Sequence, residues 1–87
     1  MNIDLSKYNI NRSDFSEIKR VAKENLAKEI GKKVEELSVD HFYDMGDFGG
    51  SKDLYVLEIS YDYNEDILNT YIFKEIGNLV FEVTEDF

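Results

Sequence analysis

Eighty-seven residues without a single cysteine make one small domain and exclude disulfide and thiolate chemistry. The net charge of −9 is unevenly placed: residues 1–33 carry eight Lys and Arg against five Asp and Glu, whereas residues 34–87 carry two against fourteen. Direct binding to nucleic acid is therefore disfavoured, because affinity for phosphates comes mostly from Lys and Arg.

A chain of this length buries somewhat over ~60% of its unfolded surface, enough for one core without staples. No apolar run approaches the ~18–20 residues of a membrane span. The opening Met-Asn-Ile-Asp-Leu-Ser-Lys has no basic region followed by an apolar run, so no secretory signal is expected. A cytoplasmic protein with no membrane partner is the expectation.

Residues 1–12 are polar with Ile3, Leu5, Tyr8 and Ile10 interspersed, and read as an irregular arm with a short turn or edge strand. Ser13 and Asp14 open a helix. Ser13 is placed to accept a bond from a first-turn N–H, while Asp14 and Glu17 complement the dipole. Phe15, Ile18, Ala22, Leu26 and Ile30 recur every three or four residues, with Val21 alongside, as one apolar stripe. Arg20, Lys23, Glu24 and Lys28 fall off that stripe and face water. Gly31 suits the position just past the helix end, although Val34-Glu35-Glu36 would not oppose a few more helical residues.

After Gly31 the apolar period changes to two. In residues 37–45, Leu37, Val39, His41, Tyr43 and Met45 alternate with Ser38, Asp40, Phe42 and Asp44. A glycine-rich hairpin connection covers residues 46–53. Residues 54–63 give the strongest strand signal in the chain. Tyr55, Leu57, Ile59, Tyr61 and Tyr63 share one face, and Leu54, Val56, Glu58, Ser60 and Asp62 share the other. Asn64-Glu65-Asp66 is a short turn. Residues 67–75 form a strand of mixed phase, in which either Ile67, Tyr71 and Phe73 or Leu68 and Ile72 face the core. The first set buries more aromatic area and is preferred. Gly77-Asn78 supports a tight hairpin, since both residues tolerate positive φ. In residues 79–84, Leu79, Phe81 and Val83 alternate with Val80, Glu82 and Thr84.

The expected architecture is α+β: one helix packed on a four-stranded antiparallel meander spanning 37–85. Phe15, Ile18, Leu26, Leu57, Ile59 and Phe81 should be buried together. In element order the chain resembles cystatin-type folds, a helix held by a curled antiparallel sheet. No inhibitor-loop motif of that family is present, and layout alone does not fix function.

Three short patterns invite a chemical reading. Asp62-Tyr63-Asn64-Glu65-Asp66 opens like a calcium loop, but Ile67 and Phe73 stand where an EF-hand needs glycine and glutamate. An Asx-rich turn is the simpler account. His41, the only histidine, lies in this phase on the apolar side of its strand, without a second His or Cys to make a zinc site. It reads as a core-edge residue bonded to backbone or tyrosine. Asp47-Phe48-Gly49 spells a kinase triplet in a chain too short for the other kinase elements. No cofactor, metal or catalytic residue is expected.

The candidate site is instead the sheet face turned away from the helix. In the phase above, Asp40, Asp44, Glu58, Asp62 and Glu82 point there together with Phe42, Val56, Ile72 and Val80. Acids around an apolar centre suit docking of a basic partner. The competing account is a solvated face, with Lys74 laddering to Glu58 or Glu82 and the N-terminal arm covering the apolar row. The functional expectation is a small acidic non-enzymatic binding protein. One version is an inhibitor or immunity-type protein that blocks the basic nucleic-acid groove of a nuclease or other defence enzyme. The alternative is a self-associating structural or accessory subunit that dimerises through the same face. A small enzyme built around His41 ranks third.

Overall fold

The computed structural model describes residues 1–45, 54–64 and 67–86. In chain order the elements are β1 (Asn2–Asp4), α1 (Phe15–Ile30), β2 (Leu37–Asp44), β3 (Tyr55–Asn64), β4 (Ile67–Gly77) and β5 (Val80–Asp86), with short 3-10 turns at Ser6–Tyr8 and Val34–Glu36. The fold is α+β, one helix on an antiparallel sheet. The sheet has five strands in the order β1-β5-β4-β3-β2, not four.

The fifth strand comes from the N-terminal arm. Asn2, Ile3 and Asp4 pair with Glu82, Phe81 and Val80. The main chains of Met1 and Val83 exchange bonds, and the Leu5 N–H donates to the Leu79 carbonyl at 2.8 Å. Ile3 and Leu5 thereby enter the core, and the arm lines the helix side of the sheet instead of covering the outer face. Three residues are too short a run for alternation to stand out, which is why an irregular arm was the expectation.

The helix begins one residue later than Ser13 suggests. The Asn11 side chain accepts the Ser13 N–H in an Asx-type turn. That leaves Asp14 as the cap, its carboxylate accepting the Glu17 N–H at 3.2 Å. The helix closes at Gly31, whose φ of 70° is the left-handed conformation glycine adopts cheaply. Its continuation beyond Gly31 does not occur, and Val34–Glu36 forms a separate 3-10 turn.

The helix lays Ile18, Val21, Ala22, Leu26 and Ala27 on one sheet face. They meet Leu37, Leu57, Ile59, Tyr71, Phe73, Leu79, Phe81 and Val83 in a single cluster. The expected phases of β3 and β5 therefore hold, as do Tyr71 and Phe73 in β4. The expectations for Tyr63 and Ile67 concern side chains outside the described set, and the connection over residues 46–53 lies outside it entirely. Phe15 is the exception in the expected core. It is 47% exposed at the first turn, where the helix reaches the sheet margin, and rests on Phe42 and Tyr55.

The phase of β2 changes partway. Val39 pairs with Ile59, but His41, not Asp40, pairs with Glu58, so Asp40 is an extra, bulged residue. Beyond a bulge each side chain changes face relative to an unbroken strand. His41 and Tyr43 consequently turn outward, while Phe42 and Asp44 turn toward the helix. Similar irregularities fall between Asp62 and Asn64 and between Glu75 and Gly77. At the last hairpin the positive φ belongs to buried Leu79, at 58°, and not to Gly77 or Asn78.

Candidate functional site

The outer sheet face is built in rows across the strands. Tyr43, Val56, Lys74, Glu82 and Asn2 form one row, and His41, Glu58, Ile72 and Thr84 the next. Ser38, Ser60, Thr70 and Asp86 follow, then Asp62 with Leu68. Of the nine residues expected here, Asp40, Val56, Glu58, Asp62, Ile72, Val80 and Glu82 are present. Phe42 and Asp44 are not, because the bulge at Asp40 puts them on the helix side. Asp86 joins the face from the end of β5.

Along the strands, Glu58 and Asp62 on β3 make one acidic row, and Glu82 and Asp86 on β5 make another. Two strand spacings separate them, about 10 Å. Between them runs β4 with half-buried Ile72 and Leu68, the latter 55% exposed. Asp40 accepts a bond from the Ser60 hydroxyl. Lys74 lies in register with Glu82, yet no ion pair within 4 Å joins it to Glu82 or Glu58. The charge on this face is therefore not cancelled by a ladder.

His41 is exposed on this outer face, not at the core edge, with Nε2 3.6 Å from Glu58 Oε2. The Ser60 hydroxyl is committed to Asp40, so the nearby Ser, His and acid residues form two separate pairs. Among the described residues no group of three His, Asp or Glu could hold a metal ion. Within the calcium-like stretch, Glu65 and Asp66 lie outside the described residues, as does the triplet at 47–49. Among the described residues no helix is long and apolar enough to cross a membrane.

A second feature was not legible as a site. Glu75 belongs to the inward phase of β4, and its side chain is 0% exposed. Arg12 meets it with two bonds, Nη2 donating to Oε1 at 2.9 Å and Nη1 to Oε2. The carboxylate also accepts the N–H groups of Tyr55, at 2.9 Å, and Leu79, at 2.5 Å. The guanidinium stacks over the Tyr55 ring at 4.4 Å, and the Tyr55 hydroxyl donates to the Arg12 carbonyl. This node ties the arm to β3, β4 and the last hairpin. Every acceptor position serves the fold, so it reads as structural.

The third feature is a groove where α1 passes over β2. One end, of about 410 Å³, is lined by Phe15, Lys19, Phe42, Tyr43, Asp44 and Tyr55. The other, of about 470 Å³, is lined by Ser16, Lys19, Arg20, Lys23, Val34 and Val39. The Phe42 ring lies 5.2 Å from Phe15 and 5.0 Å from Tyr55, and Lys19 Nζ sits 5.6 Å from its centroid. Arg20 is committed to Glu17 and Glu24, and its bonds to Glu17 hold that carboxyl below its usual range. The helix spacing of Phe15, Lys19 and Lys23 was visible in the sequence, but the partner Phe42 was hidden by the bulge. Comparison with protein families, with curated proteins and with solved structures returns no match.

Proposed function

We propose that this is a small acidic, non-enzymatic binding protein of the cytoplasm whose outer sheet face engages a cationic surface on another protein. The observation that carries the reading is the pair of acidic rows, Glu58 with Asp62 and Glu82 with Asp86, flanking the apolar strip of Leu68 and Ile72. Carboxylates held on a paired sheet need little ordering on binding, and their common sign steers a basic partner. An inhibitor or immunity-type role follows if that partner is a nuclease or another defence enzyme, with the carboxylates standing where phosphates would lie. The one-helix layout is similar to cystatin-type folds in element order, a likeness that adds no activity.

Exposed Leu68 favours a second reading, self-association through the same strip. Two copies meeting there would oppose like charges, so salt would strengthen that contact and weaken binding to a basic partner. The experiment is to isolate the partner by affinity purification and measure its Kd at low and high salt. Asp62→Lys with Glu82→Lys should weaken binding and flatten its salt dependence. Lys28→Ala with Lys33→Ala, on the helix side, should change little. Equal sensitivity of the two pairs, or binding indifferent to salt, removes the reason for placing the site on the outer face.

A further inference from the structure

Among the described residues β2 is the edge of the sheet, with β3 on one side and no strand on the other. Its ladder shows which groups face the open side. Met45 N–H donates to the Leu54 carbonyl, which fixes that pair as bonded. Bonded and non-bonded pairs alternate in an antiparallel ladder, so Tyr43–Val56 and His41–Glu58 are bonded and Phe42–Leu57 is not. The N–H and C=O of Phe42 therefore point away from β3, out of the sheet edge. The Phe42 side chain meanwhile points into the groove under α1, against Phe15 and Tyr55.

An extended segment lying beside β2 would meet both at once. Its main chain would find the outward-facing Phe42 groups, and its alternate side chains would enter the groove. The groove's charge selects among such segments. Lys19 Nζ sits over the Phe42 ring, and neither Lys19 nor Lys23 has a carboxylate within 4 Å among the described residues. Asp44 lines the aromatic end, whereas the end formed by Val39 and the helix cations carries no acid, so the segment's carboxylates belong at that second end. The bulge at Asp40 restricts pairing to the stretch from His41 onward, beside the aromatic end.

We infer that the groove between α1 and β2 docks an extended acidic segment of a partner protein, which adds beside β2, seats an apolar side chain on Phe15, Phe42 and Tyr55, and meets Lys19 and Lys23 with its carboxylates. This site lies at the β2 edge, shares Tyr43 with the outer face, and does not depend on the acidic rows. An oligonucleotide would meet the −9 charge of the whole chain.

The probes are fluorescein-labelled peptides alternating Glu or Asp with Phe, Leu or Ile, the same peptides with Lys in place of the acids, and oligouridylate. Anisotropy gives affinity, and amide shifts of the labelled protein give position. Acidic peptides should bind and shift Val39, Phe42 and Lys19. Lys19→Ala with Lys23→Ala should weaken them about three- to thirtyfold, the sum of two partly exposed pairs. Lys19 is exposed and Lys23 half-buried without an ion-pair partner among the described residues, so the melting curve should change little. Binding of lysine peptides or oligouridylate as tight as that of acidic peptides overturns the proposal. So do shifts centred elsewhere, a protein that is already a β2-paired dimer on sedimentation, or no acidic peptide bound at about 1 mM.

Discussion

Replacing Arg12 by Met tests what the buried node contributes. The side chain keeps its length over Tyr55, but the guanidinium disappears and the fully buried Glu75 carboxylate retains only the N–H groups of Tyr55 and Leu79. Removing one partner of a buried pair costs about 3–5 kcal/mol, because a charge is stranded in a poorly solvated place. Arg12 is itself 29% exposed, so water can enter as it leaves, and the lower end applies. A domain of this length has a stability on the order of 4–13 kcal/mol. A loss of ~3 kcal/mol therefore removes a large share of it and lowers Tm by about 12–24 °C. Urea unfolding at neutral pH measures the loss, with unchanged m as the check that both states keep their extent. Adding Glu75→Gln removes the stranded charge, so the double variant should be more stable than Arg12→Met alone. A loss under about 1 kcal/mol, the range of exposed pairs, or no recovery in the double variant, would refute the reasoning.

Leu57→Ala or Ile59→Ala should each cost about 2–5 kcal/mol in denaturant unfolding, since both side chains are wholly buried under the helix. A melting curve unmoved by either would show that the sheet faces are reversed. Gly31→Ala meets no atom within 4 Å, so its cost is that of φ +70° alone, about 1–2 kcal/mol by thermal melting. Burial, reinforced by Tyr61 and Glu85, raises the Tyr71 hydroxyl above its usual value of 10.0. Because the folded value lies above the unfolded one, this contribution is complete below pH 10.0 and lost as pH rises through the raised value. Tyr71→Phe should remove that alkaline loss in unfolding curves taken across the range.

What the sequence made legible follows from which patterns are local. Helix α1 carries five apolar residues at regular spacing and a terminal glycine, and β3 alternates without interruption from Tyr55 to Asp62, so both were readable. Leu57, Ile59 and Phe81 fell on the expected face because nothing interrupts their strands near them. The arm was harder to read. Ile3 and Leu5 do alternate, but two residues do not distinguish a strand from a turn, and their burial depends on pairing with β5, far along the chain. Glu75 was unreadable for a related reason. A carboxylate at an inward position looks like an error until Arg12, sixty-three residues away, is brought against it. Phe42 and Asp44 were assigned to the wrong face because alternation carries no mark of an extra residue.

That extra residue makes an unusual prediction. Deleting one residue from a regular strand turns every later side chain to the other face. If β2 were regular, loss of Asp40 would drive Phe42 out of its contacts with Phe15 and Tyr55. The cost would approach that of losing a buried Phe, about 3–5 kcal/mol. In the bulged strand Val39 faces in, His41 faces out and Phe42 faces in, so removing Asp40 leaves a plain alternation already matched to both faces. The expected loss is then mainly the bond from the Ser60 hydroxyl to the Asp40 carboxylate, about 1.5–3 kcal/mol. Ring contacts between Phe15 and Phe42 should persist in the proton spectrum. The straightened edge should also pair more readily with an added strand, since bulges blunt such edges. Acidic peptides should accordingly bind the deletion variant at least as well as the parent. Loss of the Phe15–Phe42 contacts in the variant would mean that Asp40 is part of a regular alternation and not an extra residue.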